Sequence, residues 1–267
     1  MTAAELYQAG KLDEAIESAI ATVREHPGEL PPRWLLAELA CFAGQTERAD
    51  KQLDVIGDQD PQVAQGVALF RHLIRAEQAR RQVFTQGRVP ELLDKPDEEL
   101  KLRLQALVCL REGDAPAAAD LLERAETLRP AMQGTCDGKP FDDLRDVDDL
   151  TASVFEVLTS GGTYYWIPMA RVDYVGFHPP TRPRDLLWRP ARMVVRGGPD
   201  GEVHIAALYP GTHEAEDARA RLGRLTDWVA IHGQASRGVG QRLLLVGDED
   251  VPLMQVGELV MNEEARP

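Results

Sequence analysis

Three residues recur along the first half of the chain at an interval of 34 positions. Gly10, Ala15 and Pro27 return as Gly44, Ala49 and Pro61. Gly113, Ala118 and Pro130 keep the same internal spacing, beginning 69 residues after Gly44, two periods plus one. The set implies a pair of antiparallel helices per period. The glycine occupies the turn, where a missing Cβ allows φ > 0. The alanine lies where the two backbones approach closely, and the proline stops the second helix because it has no N–H to donate.

A 34-residue period with these three residue types is the pattern of the tetratricopeptide unit. Apolar positions repeat with it. Ala19, Leu53 and Leu122 follow the alanine by four residues, Ala37 matches Ala106, and Leu35 matches Leu104. The first unit is short, since only Thr2 to Ala9 precede its glycine. Between Pro61 and Lys95 the expected glycine is missing, and Gln62 to Gln86 reads as one long helix with Val67, Phe70, Leu73, Ile74 and Phe84 on its apolar side. Arg71, Arg75, Arg80, Arg81 and Arg88 give that helix a basic stripe, read either as a contact for an acidic partner or as a solvated face. A solenoid of this kind leaves an inner groove suited to a peptide or helix.

The periodicity stops after Pro130, and Met132 to Gly138 reads as a boundary loop. Phe141, Leu144 and Val147 stand at helical spacing in a segment rich in acids. Ser153–Thr159 and Thr163–Ile167 flank Ser160-Gly161-Gly162 as a hairpin, although Leu150, Val154 and Leu158 also stand four apart. A second hairpin is predicted from Met193–Arg196 and Glu202–Tyr209 around Gly197–Gly201. Further strands are predicted over Trp228–His232, Leu243–Val246 and Val251–Met261, with a short helix over Glu214–Leu225. The chain therefore divides into a tetratricopeptide-like α-α superhelix over 1–130 and a β-rich α+β domain over 131–267, a multidomain α and β protein.

Charge and motifs exclude several functions. A net charge of −14 argues against neutralising nucleic-acid phosphates or docking on an anionic membrane. No apolar run approaches the ~18 residues of a membrane helix, and the N-terminus lacks the pattern of a signal peptide. Three cysteines without a CxxC pair point to a reducing cytoplasm. The six histidines form no HxH or HExxH spacing, so no metal or other cofactor is expected. Asp142, Asp143, Asp146, Asp148 and Asp149 lack the glycine and terminal glutamate of a calcium loop, and read as a solvated segment that starts a helix. Gly233–Gly240 has no following Lys-Ser/Thr and reads as a flexible loop between strands rather than a phosphate cradle. Ser236 and Cys136 have no nucleophile context, so no enzyme is indicated.

The aromatic run Tyr164-Tyr165-Trp166 falls on a predicted strand, so Tyr165 faces one side while Tyr164 and Trp166 share the other. One set packs the core. The other, with Trp188, is the candidate partner-binding surface.

The strings SVFEVLTSGGTYYWIPMARVDYVGF (Ser153–Phe177), RDLLWRPARM (Arg184–Met193), ALYPGTH (Ala207–His213) and RLGRLTDW (Arg221–Trp228) resemble the ImpE family, also called TagJ or SciE-type proteins. The resemblance runs over essentially the whole chain and favours the hairpin at Ser153–Ile167. It implies a cytoplasmic, non-enzymatic adaptor of a bacterial type VI secretion system. The implied partner is the N-terminal helix of the small sheath subunit TssB, and through the sheath the ClpV unfoldase. The alternative is a general tetratricopeptide co-chaperone or scaffold for another protein.

Overall fold

The computed structural model describes residues 1–261 of the 267. Seven helices come first: α1 (Ala3–Gln8), α2 (Leu12–Glu25), α3 (Leu30–Phe42), α4 (Thr46–Gln59), α5 (Ala64–Gln86), α6 (Glu98–Glu112) and α7 (Ala115–Leu128). Their ends are written locally. Thr2 and Glu5 form a capping box on α1, and the Asp97 and Asp114 carboxylates accept the Leu100 and Ala117 amides at 2.9 and 3.1 Å. The turn glycines Gly10, Gly44 and Gly113 stand at φ 80, 74 and 79°, the left-handed region that the repeat required. Ala15, Ala49, Ala118, Ala37 and Ala106 have no solvent exposure, and Ala19, Leu53 and Leu122 are buried beside them.

The missing glycine has a clear consequence. Its place in the period falls on Gln78, and α5 runs through it for about two further turns, to a left-handed Gly87. The extension carries Arg80, Arg81 and Phe84 beyond the point where a regular unit would have turned back.

The second half is built on strands β1 (Gly134–Cys136), β2 (Lys139–Phe141), β3 (Leu144–Asp146), β4 (Val154–Thr159), β5 (Tyr164–Pro168), β6 (Val172–Phe177), β7 (Trp188–Val195), β8 (Asp200–Ala206), β9 (Thr226–His232), β10 (Ala235–Gly240), β11 (Leu243–Val246), β12 (Glu249–Pro252) and β13 (Glu258–Met261), with one short helix α8 (Ala218–Arg221). Eight strands form an antiparallel sheet in the order β2-β1-β13-β6-β7-β8-β4-β5. β12-β11-β3 make a second sheet, and β9 and β10 a separate ribbon. The β4–β5 and β7–β8 hairpins are those the sequence predicts.

Strand alternation gives the large sheet two apolar faces. Val154, Leu158, Tyr164, Trp166, Trp188 and Ala206 face the helices and join their core. Phe155, Val157, Ile167, Val175, Met193 and Ile205 face away and pack with Leu244, Leu253 and Val256 in a second core. The outer edge of β5 is closed by the α5–α6 connection. The Glu91 amide donates to the Tyr164 carbonyl and its carbonyl accepts from the Trp166 amide, both at 3.1 Å, so the middle of that edge is paired.

Four predicted segments take other forms. Phe141–Leu150 is no helix: β2 ends at Phe141 and β3 spans Leu144–Asp146, because the alternate residues Leu144 and Asp146 point inward. Met132–Gly138 contains strand β1. Val251–Met261 is broken by a 3-10 turn at Leu253–Gln255 into β12 and β13, which belong to different sheets. Glu214–Leu225 keeps only the four residues of α8. Within the 131–267 span, positions 262–267 lie outside the described residues.

Candidate partner-binding site

The face formed by α1, α3 and α5 is covered by the chain's own second half, so a groove on that face is filled. The Arg184 guanidinium lies 4.6 Å from the Phe70 ring centroid and 5.8 Å from that of Trp34, and its Nη1 donates to Glu38 at 3.3 Å. Trp188 stands edge-on to Phe70, and its indole N–H donates to Glu77 at 3.1 Å. At the other end Arg224 donates to the Tyr7 and Gln8 carbonyls at 2.7 and 2.8 Å. These contacts occupy the surface on which a tetratricopeptide groove would seat a peptide.

The centre of this seam is a buried ion network. Glu156 points from β4 toward α5, and its two oxygens accept from Arg80 at 2.7 and 2.9 Å. Arg242 and the Tyr164 hydroxyl also donate to it. Burial alone would raise the Glu156 carboxyl, but Arg80 and Arg242 outweigh it and hold it at about 2. Arg242 continues to Asp146, which also accepts from the Tyr209 and Thr151 hydroxyls at 2.9 and 3.1 Å. Asp148 accepts the Leu150 and Gly238 amides at 2.8 and 2.9 Å. Burial pushes Asp146 and Asp148 upward despite the arginines around them. The acidic run is therefore not a solvated segment: Asp146 and Asp148 are enclosed and tie β3 and its following turn to β10 and β11.

Tyr164, Trp166 and Trp188 are 2, 0 and 3 % exposed and lie between sheet and helices, so they join the halves instead of offering a surface. The cause is the hydrogen-bonding heads: the Trp166 indole donates to the Tyr164 hydroxyl at 2.6 Å, which donates to Glu156. Tyr165, on the opposite face, is half-buried against the second core. The basic stripe of α5 is divided in the same way. Arg80 is buried against Glu156, Arg81 binds Glu77 at 3.3 Å and the Gly44 carbonyl at 2.8 Å, and Arg71 is shared by Asp50 and Asp54 at 2.8 and 3.1 Å.

An open cleft of about 590 Å³ lies where the extended end of α5 meets the β9–β10 ribbon and the α6–α7 turn. Phe84, Leu110 and Ala115 form one wall, and Val229, Ile231, Arg237 and Val239 the other. The volume is that of a ligand-binding cleft. Val229 is 56 % exposed and Trp228 37 %, an unusual concentration of apolar surface on one strand. Gly233–Gly240, read from sequence as a flexible loop, is mostly strand β10. Gly238 allows the Tyr209 ring to lie against the ribbon, since a Cβ there would stand 2.2 Å from that ring. The signal for the cleft was present in TDWVAIH, a strand more apolar than an exposed hairpin needs, but its neighbours were not.

Comparison with known proteins agrees with this architecture. The ImpE protein family model matches residues 138–260, and a tetratricopeptide repeat model matches residues 6–71. The type VI secretion system accessory component TagJ of Pseudomonas aeruginosa is 35 % identical over 259 residues, covering 97 % of this chain and 90 % of that protein. The chain belongs to the ImpE/TagJ family. The crystal structure of protein VPA1032 from Vibrio parahaemolyticus superposes with a TM-score of 0.91 at 27 % identity, covering 98 % of both chains. In this ImpE/TagJ protein no group of three or more His, Cys, Asp or Glu side chains could hold a metal among the described residues. Among those residues no helix is long and apolar enough to cross a membrane.

Proposed function

We propose that this protein is a cytoplasmic, non-catalytic adaptor of a type VI secretion system. Its partner is the N-terminal helix of the small sheath subunit TssB, and through the sheath it serves ClpV-dependent recycling. The observation that carries the reading is the full-length likeness to a type VI accessory component, 35 % identical over 97 % of the chain. The partner helix lays its apolar face in the cleft between Phe84, Leu110 and the β9–β10 ribbon, with anchors at i, i+3 or i+4, and i+7. The cleft is favoured because the α1–α3–α5 face is occupied by the chain itself, while Val229 stands open beside the partly buried Ile231.

The test is titration of a labelled peptide of that helix, taken from the same secretion cluster, against the purified protein. Saturable binding at micromolar concentration or below is expected, and Val229→Asp should abolish it. No saturable binding to the unmodified protein would remove the reading.

A further inference from the structure

The cleft belongs to a chain of net charge −14, yet three arginines and two glutamates line it. Three of these five already have partners. Arg80 is bound to Glu156, Arg81 to Glu77, and Glu77 also accepts from Trp188. Glu214 stands exposed at the rim, 3.7 Å from His213, whose burial disfavours the charged imidazole, so water solvates this carboxylate. Arg237 differs. Its guanidinium lies 5.8 Å from the Phe84 ring centroid, and its Nε is enclosed without an acceptor. Its side chain makes no ion pair or hydrogen bond among the described residues. Asp148 lies behind it, with carboxylate oxygens engaged by the Leu150 and Gly238 amides.

The strand register adds the geometry. Arg237 on β10 is paired with Val229 on β9, so the two side chains are cross-strand neighbours on one face. An apolar anchor and a cation whose counter-charge, Asp148, makes no hydrogen bond to it therefore stand side by side on the cleft wall. A wholly apolar segment seated there would shut the guanidinium away from water without a hydrogen-bond acceptor, which is unfavourable. A carboxylate meets its planar fork with two parallel hydrogen bonds.

We infer that Arg237 selects the partner by pairing with an Asp or Glu that flanks an apolar anchor of the docked helix. The inference rests on the cleft being the partner site. Arg237 thereby discriminates against amphipathic helices that lack an acid beside the anchor.

A double-mutant cycle tests it, using the labelled sheath-subunit peptide and versions in which each acidic residue is replaced in turn by its amide. Arg237→Gln should weaken binding roughly tenfold or more. One amide-substituted peptide should lose the same factor against the unmodified protein and lose nothing further against Arg237→Gln. Arg237→Lys should restore only part of the loss, and an unchanged melting temperature shows that the fold is kept. If Val229→Asp abolishes binding while Arg237→Gln binds like the unmodified protein, or if every acid acts independently of Arg237, the inference is overturned and the cleft stands. If neither Val229→Asp nor Arg237→Gln affects binding, the cleft assignment fails and takes the inference with it.

Discussion

The helix pairs are packed by small apolar side chains, whereas the seam that joins them to the sheet encloses an ion network within its apolar layer. Between helices the contacts are alanine and leucine: Ala15, Ala49 and Ala118 have no exposed surface, and Leu53 and Leu122 lie beside their turns. At the seam the enclosed groups are Arg80, Glu156, Arg242 and Asp146. The first kind tolerates little change of volume. The second tolerates little change of charge, because each ion is kept inside only by its partner. The same helix α5 serves both, with Phe70 and Leu73 in the apolar core and Arg80 at the seam.

The widest separation between the two should come from Glu156→Ala. It leaves Arg80 and Arg242 enclosed without their shared acid and should destabilise by about 3–5 kcal/mol in denaturant unfolding. A loss below ~1 kcal/mol would mean that the network is not what joins the halves. Ala49→Leu and Ala118→Leu should each destabilise by about 1–3 kcal/mol through overpacking. Unchanged melting temperatures for both would show that the helix faces are misassigned.

Gly44 and Gly10 divide the effects more finely. Both have left-handed φ, but a Cβ on Gly44 would stand 2.3 Å from the His213 ring, whereas one on Gly10 would meet only Arg224 at 3.5 Å. Gly10→Ala should show backbone strain alone, about 1 kcal/mol, and Gly44→Ala should exceed it because the seam must also move. Equal losses would separate the turn from the seam.

The two seam carboxylates also predict opposite pH slopes. Burial pushes Glu38 from its ordinary 4.5 to about 7 against the pull of Arg184. Between those values the folded state keeps a proton that the unfolded chain has released. The stability from Glu38 is therefore whole below about pH 4.5 and lost as pH rises to 7, on the order of 3 kcal/mol. Glu156, held at about 2, contributes above pH 4.5 and loses its contribution as pH falls toward 2. Glu38→Gln should flatten the upper slope in unfolding curves across pH and leave the lower one. The smallest effect belongs to Arg71→Ala, whose pairs with Asp50 and Asp54 are 40 % or more exposed and should contribute below ~1 kcal/mol.

Local signals were enough where the cause of a structure lies within one helix pair or one hairpin. The Gly/Ala/Pro period marked the turns and close contacts of the helices, and alternation marked β4–β5 and β7–β8. The family strings named the class to which the chain belongs. The acidic run misled because counting charges treats Asp146 and Asp148 as solvated. Their partners Arg242, Tyr209 and Gly238 lie 63 to 96 residues away along the chain. The aromatic run was correctly split between two faces of one strand. Which face met solvent depended on Arg80 and Glu156, brought together across 76 residues.

The sequence by itself determined the helical repeat, the strand pairs and the absence of a turn glycine at position 78, because turn geometry and side-chain period act over a few residues. Tertiary structure alone decided that the repeat's groove would be filled by the chain's own Arg184, Trp188 and Arg224. It also decided that an apolar cleft would stand open between α5 and the β9–β10 ribbon. Those outcomes depend on which buried charges find partners, and such partners meet only when the two halves close on each other.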